Sequence, residues 1–214
     1  MLTSGIQFNL YGLVSIKVLL VTPYSFQKYG GVQNQVNLIE EYLSLHDEYE
    51  VKVFAYGKTK SLDSNKVFNI PFNSSVSSVL LFPNRKLLLE YIDWADVVHV
   101  HEPFVPLLFW TLPKNKKYIF THHASLGAII TNILSIIYKF FRYTSISTYV
   151  SKSAEANALS LNSEPVLIPN MIKINQNISF NKSQGYLFIG RQEPRKNYNF
   201  FVKLSNHKQF TAKL

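Results

Sequence analysis

The chain has no cysteine. Disulfides, thiolate metal sites and thiol nucleophiles are therefore excluded, and the absence fits a reducing compartment. Residues 1–15 lack a cationic segment leading into an apolar core and a small-residue cleavage site, so no signal peptide is read there. Long apolar runs are missing as well. The most apolar stretch, 126–137, is interrupted by Thr131, Asn132 and Ser135 and followed by Lys139 and Arg142. It is too short to span a bilayer and reads as a buried or interfacial helix. Acidic residues are scarce at one end. Residues 171–214 hold a single acid, Glu193, against eight Lys and Arg, whereas 1–170 hold 12 acids against 14. Most of the net charge of +9 thus sits on the last fifth of the chain.

A basic excess suits nucleic acid, an anionic membrane or a phosphorylated ligand. No zinc-finger spacing or RNP motif accompanies it, so nucleic acid is not an expected partner. What the chain does have is enough apolar matter for a core: 47% hydrophobic and 14% aromatic residues exclude a disordered chain. Short β-branched and leucine runs predict strands at 17–22, 51–56, 97–101, 118–121, 145–150 and 165–168. Helical spacing predicts helices at 32–45, 84–94, 126–142 and 153–161. Strands alternating with helices argue for an α/β, Rossmann-like, doubly wound parallel sheet. The expected organisation is a domain over 1–170, a polar linker at 171–185, and the start of a second Rossmann-like unit at 186–214, with a strand at 186–189 and a helix from Asn197.

Three places carry candidate chemistry. Gly30-Gly31 lies between the first strand and the first helix, where glycines permit close backbone approach and a helix N-terminus attracts anions. An ordinary flexible connection is the alternative, and the segment lacks the Gly-x-Gly-x-x-Gly fingerprint. His99 and His101 alternate on one strand face, ending in Glu102-Pro103, while His122-His123 ends another strand. No third ligand has metal-binding spacing, so contact with substrate or a structural role is expected in place of a metal. One of His122 and His123 could hydrogen-bond a hydroxyl or move a proton, with packing the open alternative. At 190–196, a glycine is followed by Arg191, Arg195 and Lys196 ahead of a helix, an arrangement that suits a diphosphate.

In order along 17–200, these segments resemble family-4 glycosyltransferases of the GT-B fold, and among them the phosphatidylinositol mannosyltransferases. The resemblance rests on Thr22-Pro23-Tyr24-Ser25-Phe26 with Gly30-Gly31-Val32-Gln33, on Ile70-Pro71-Phe72-Asn73-Ser74-Ser75-Val76, on Val98-His99-Val100-His101-Glu102-Pro103, and on Gly190-Arg191 with Glu193-Pro194-Arg195-Lys196. Val150-Ser151-Lys152-Ser153 and Ile168-Pro169-Asn170 fit the weaker pattern of the wider family. It implies retaining transfer of mannose from GDP-mannose to the inositol of a phospholipid, without a metal or other cofactor. Arg191 and Lys196 would hold the donor diphosphate, and Gly31 would let the first loop approach it. His123 would contact the donor sugar, and Gln33, Phe72, Asn73 and Ser75 would surround the inositol phosphate. The lipid acceptor implies a cytoplasmic protein with peripheral contact at the inner face of the membrane. There Arg85 and Lys86 could meet anionic headgroups, or simply form the solvated face of an amphipathic helix.

Departures from that pattern carry expectations of their own. Ser78 stands where those enzymes have an arginine, one phosphate-binding cation fewer, and Phe72 lacks the hydroxyl of their tyrosine. The spacing between Arg191 and Glu193 is one residue shorter than in those enzymes. Their later Glu-x7-Glu donor segment has no counterpart before Leu214. The expectation is an incomplete donor side, inactive alone or completed by a separate polypeptide. The alternatives are a non-catalytic product that retains acceptor binding, or a family-4 transferase for another nucleotide sugar and acceptor.

Overall fold

A computed structural model of the chain describes residues 15–60, 62, 66–72, 75–105, 111–141, 143–161, 164–174, 187–190, 192 and 194–206. The strand β1 (Ile16–Val21) organises the rest. Val18, Leu19, Leu20 and Val21 are all buried, the mark of a strand covered on both faces. Successive side chains point to opposite sides. Leu19 and Val21 join one core with Phe54, Leu88, Ile92, Val100 and Phe120, while Val18 and Leu20 join the other with Val36, Val53 and Ala55.

Parallel strands β2 (Tyr49–Phe54) and β5 (Val97–His101) flank β1. The sheet continues through β6 (Lys117–His122), β7 (Thr144–Tyr149) and the short β8 (Val166–Leu167), in the order β2-β1-β5-β6-β7-β8, all parallel. Helix α1 (Gly31–Leu43) covers one face through Val36. Helix α2 (Arg85–Trp94) covers the other through Leu88 and Ile92. Helix α3 (Ala128–Phe141) and the short α4 (Glu155–Leu159) follow β6 and β7, and Thr131 of α3 donates to Asn157 of α4 at 2.7 Å. The expected doubly wound sheet is what forms, and the order reverses between β1 and β5. Crevices at such a switch point, outside the carboxyl ends of the strands, are where ligands bind in open α/β sheets.

One element was not anticipated. Strands β3 (Val67–Phe72) and β4 (Ser75–Leu80) form a separate antiparallel hairpin, with Phe72 opposite Ser75 at its tip. Pro71 argues against a strand in sequence, because it removes a ladder donor. The ribbon tolerates it, since β3, which carries Pro71, pairs only with β4 among the described residues and has an unpaired side. The hairpin is sewn to the β1–α1 loop by Ser25 N–H donating to Ser78 O at 2.8 Å and Leu80 N–H donating to Pro23 O at 2.7 Å.

Beyond β8, the first residues of the expected linker are tied to α1. The buried Gln35 amide donates to Met171 O (2.9 Å) and accepts from Met171 N–H (2.6 Å), and Lys173 pairs with Glu41. The remainder of that segment, 175–185, and Tyr186 lie outside the described residues. Leu187 and Ile189 are exposed and in no strand, so the strand expected at 186–189 does not form over its described residues, 187–189. Helix α5 (Tyr198–Ser205) does form, after a 3-10 turn at Pro194–Lys196, and Phe188 packs on Tyr198 and Phe201.

Arg85 and Lys86 are exposed at the start of α2 while Leu88 points inward, the ordinary arrangement of an amphipathic helix. Asn84 caps that helix by accepting from Leu87 N–H at 3.2 Å. Asn84→Ala should cost about 1 kcal/mol in urea denaturation, the usual worth of such a cap. Leu88→Ala, in the core between α2 and β1, should cost about 2–5 kcal/mol.

Candidate active site

The loops after β1, β5 and β6 and the side of the hairpin enclose a cavity of about 500 Å3 at the switch point. Tyr24, Lys28 and the Gly30–Gly31 step come from the first loop, Glu102 from the end of β5, His123, Ala124 and Ser125 from the end of β6. Ser77 and Ser78 come from β4, and Asn170 from the segment after β8.

Glu102 is the structural surprise. It adopts a left-handed backbone (φ 56°) and is almost fully buried, yet no cation neutralises it among the described residues. Its Oε1 accepts from the backbone N–H groups of His123 and of Ala124, the latter at 2.7 Å. Burial pushes its carboxyl up to about 7, against the pull of those two donors.

The histidines form two chains with assignable directions. His99 Nε2 lies 2.7 Å from Thr121 Oγ1, which lies 2.6 Å from Thr148 Oγ1. Thr148 in turn donates to Phe120 O, so Thr121 donates to Thr148 and His99 carries its proton on Nε2. His101 Nδ1 lies 2.9 Å from His123 Nε2, and His101 Nε2 is buried without a partner among the described residues. A buried orphan N–H is rarer than an orphan acceptor, which places the His101 proton on Nδ1, donating to His123. His123 then keeps a proton on its other nitrogen, next to the Asn170 side chain that hydrogen-bonds it. Burial lowers His99 and His123 to about 4, and His101 also falls well below its ordinary value, so all three are neutral at pH 7. No group of three His, Asp or Glu side chains converges as metal ligands among the described residues.

The first loop is built around Gln33. Its Nε2 donates to Ser25 O (3.0 Å) and Lys28 O (3.3 Å), so the amide donors expected to meet an inositol phosphate are spent on the loop. The two glycines differ in kind. A Cβ on Gly30 would sit 2.3 Å from Gln33 Oε1, so a side chain there would have to move the Gln33 amide. A Cβ on Gly31 would meet nothing within 4 Å and would project into open space. Gly31 opens α1 with no side-chain cap and no acid in the first turn, leaving its amide donors available.

Lys28 was overlooked in the sequence. Its Nζ donates to Asn69 Oδ1 at 3.0 Å, and the same oxygen accepts from Ser78 Oγ at 2.6 Å. A cation therefore arrives from the first loop at the place where Ser78 leaves one missing from β4. Among the described residues lining the cavity it is the only cation.

Of the other expected residues, Gly31, Gln33 and His123 meet at this cavity. Phe72 and Ser75 stand opposite one another at the hairpin tip, with their side chains outside what is described, as is Asn73. Lys196 lies in the turn before α5, where its Cγ is near Gly190, and is not among the residues lining the cavity; Arg191 lies outside the described residues. Of the two adjacent histidines, His123 faces the cavity, while His122 is fully buried against Phe104 and is lowered to about 3 by that burial. Asn170 and Glu102 lie in segments that resemble the family, but the resemblance assigns them no role.

The buried histidines set a pH dependence. His99, His122 and His123 titrate near 3 to 4 when folded against about 6.5 unfolded, so the unfolded chain binds more protons in that window. Their contribution is intact above pH 6.5 and is lost as pH falls towards 4. Glu102, raised from 4.5 to about 7, acts oppositely between those values but is a single group. Urea denaturation at a series of pH values should give clearly lower stability at pH 5 than at pH 7.5. His122→Phe, which removes a ring with two unpartnered nitrogens, should make the fall shallower.

Comparison with known proteins places this geometry. A profile of Glycosyltransferase Family 4 matches residues 29–176. The chain is 28% identical over 205 residues to a phosphatidyl-myo-inositol mannosyltransferase of Mycobacterium leprae (strain TN), covering 85% of this chain and 54% of that one. The enzyme of the same name from Mycolicibacterium smegmatis (strain ATCC 700084 / mc(2)155) is 28% identical over 205 residues, covering 85% and 52%. That from Mycobacterium tuberculosis (strain ATCC 25618 / H37Rv) is 28% identical over 206 residues, covering 85% and 53%. The chain spans about half the length of these relatives. With the matched profile covering residues 29–176, well over half of the chain, the chain belongs to glycosyltransferase family 4.

Proposed function

We propose that this chain carries the acceptor side of a retaining mannosyl transfer from GDP-mannose to a phosphatidylinositol-type lipid. The observation that carries the reading is the cavity itself: a polar, 500 Å3 space lined by Lys28, serine hydroxyls, free α1 amides and the neutral His123. The resemblance to phosphatidyl-myo-inositol mannosyltransferases supports the choice of sugar and acceptor. In this reading Lys28 and the Ser77–Ser78 hydroxyls face the acceptor phosphate, with Phe72, Asn73 and Ser75 at the rim. Gln33 acts indirectly, by holding the loop that presents Lys28. The Gly31 amide approaches the donor diphosphate, and Arg191 and Lys196 contribute their charge to it. The group leaving is GDP, so stabilising its diphosphate with fixed donors and cations is the main catalytic demand.

His123 is positioned by Glu102 through its own backbone and by His101 through its ring, and its remaining N–H, held by the Asn170 side chain in the empty cavity, would turn to a sugar hydroxyl that displaces that contact. Glu102 is a positioning residue with a second effect. An anionic ligand in the same cavity is repelled by the carboxylate and not by the acid, so its binding should weaken as pH rises through 7.

Two measurements test this. Calorimetric titration with glycerophosphoinositol should show binding that weakens about tenfold in Lys28→Ala, the worth of one charge-assisted hydrogen bond. Absence of any binding by the unaltered chain overturns the reading. In the same titration, the fall in affinity between pH 6 and 8 should disappear in Glu102→Gln, whose amide oxygen can still accept from His123 and Ala124. Incubation with labelled GDP-mannose and phosphatidylinositol vesicles then asks whether these 214 residues complete the transfer.

A further inference from the structure

Behind the hairpin lies a second cavity of about 240 Å3, of opposite character. Ile70 and Val79 of the hairpin, Phe104, Leu126, and Ile130 and Leu134 of α3 form its walls. Four residues, Tyr24, Ser77, Glu102 and Ala124, line both this space and the polar cavity, so the two adjoin across a shared wall. A space with apolar walls holds water poorly and accepts hydrocarbon.

Helix α3 extends the apolar surface outward. Its position is fixed by a polar clasp, Thr131 to Asn157 Oδ1 and Asn157 Nδ2 to Ala124 O at 2.6 Å. That clasp needs none of the outer residues. Ile129, Ile133, Ile136 and Phe140 recur at one-face spacing and are 78%, 54%, 69% and 78% exposed. Ile130 and Leu134, which line the cavity, are the inner edge of the same helix. At its far end, Lys114 lies over the Phe140 ring and Lys139 is exposed, a cationic rim to an apolar stripe. An apolar pocket, an apolar stripe and basic residues beyond it are the features of a surface that meets an anionic amphiphile at its interface.

We propose that the second cavity binds a hydrocarbon chain of the acceptor lipid while its phosphorylated head occupies the first, and that the α3 stripe rests on the lipid surface the chain comes from. The inference deepens the acceptor reading above and rests on it for the identity of the head. It makes Ile130 and Leu134 determinants of acceptor specificity: an acylated acceptor gains affinity that its deacylated headgroup lacks.

The test compares dioctanoyl phosphatidylinositol with glycerophosphoinositol by calorimetry on the full chain, alongside methyl NMR with 1-octanol, which carries a chain without a head. Ile130 is 43% exposed, so Ile130→Trp narrows the cavity at a position that does not carry the fold. The expected result is about a tenfold or greater loss for the dioctanoyl lipid, the worth of about two buried methylenes, and no change for the headgroup. Octanol should shift the methyl signals of Val79, Leu126, Ile130 and Leu134. Affinity for the acylated lipid unchanged by Ile130→Trp, or octanol shifts confined to other methyls, overturns the proposal. If neither the lipid nor its headgroup binds, the acceptor reading has failed, and the octanol shifts still decide whether the cavity takes a chain. Concentration-dependent dimerisation abolished by Ile136→Glu would assign the stripe to a second copy and overturn its contact with lipid.

Discussion

A carboxyl group buried without a cation among the described residues joins the ends of β5 and β6, and the site is arranged around it. Glu102 leaves its strand in a left-handed turn, which brings Oε1 under the backbone of His123 and Ala124. Without that pair of acceptor contacts, two amide donors at the floor of the cavity would be buried and unpaired, at about 1–3 kcal/mol each. The left-handed backbone is itself a cost for a non-glycine residue. Burial of the acid opposes ionisation and the two amides favour it, so the group ends near neutrality, able to exchange a proton at physiological pH. A structural lysine beside it would fix the carboxylate; its absence leaves the charge of the cavity floor adjustable.

The histidines follow from the same constraint. His99 stacks on His101 with ring centroids 4.2 Å apart, and His123 lies edge to edge with His101, 5.2 Å away, joined to it by the ring hydrogen bond. Three imidazolium ions could not share that space, and burial keeps all three neutral. Neutral His101 and His123 can act as donor and acceptor in series, with one tautomer setting the other. The array is therefore suited to holding one N–H in a defined direction at His123 and unsuited to delivering a full charge. Charge enters from elsewhere, from Lys28 on the first loop and from the amides opening α1.

Much of the architecture was legible because it rests on local signals. The run of Val18 to Val21 can only be a strand covered on both sides, and the helical spacing through Val36, Ile39 and Leu43 can only face a sheet. The hairpin was not legible, because Pro71 speaks against a strand and the partner that tolerates it is not a local feature. In the site, residues quoted from matched segments were found together where their strands end. Their individual roles were less legible. Gln33 and Ser78 look alike in sequence as polar groups for a ligand, yet one is spent on loop carbonyls and the other is held by Asn69 beside Lys28. Lys28 itself carried no signal, since a single lysine in a loop gains meaning only when the hairpin is folded against it. His122 and His123 show the same limit, for adjacent residues at a strand end face opposite ways and only the fold decides which meets the cavity.

The paired glycines separate two kinds of requirement that sequence cannot distinguish. At Gly30 Gln33 folds over the backbone, so a side chain there would first have to move the amide that holds the loop. Gly31 is not needed by the protein, since a methyl group would touch nothing. At this uncapped start of a helix facing a polar cavity the fold leaves room for a side chain, and in the proposed reading the bare backbone there serves the ligand. The space a Cβ would occupy is the space through which an anion would reach the α1 amides. The basic segment at 190–196 lies on a different part of the chain from that opening, and only Lys28 among the described cations shares the cavity with it. The acceptor-side reading therefore depends on the first loop, whose shape is set by one buried amide.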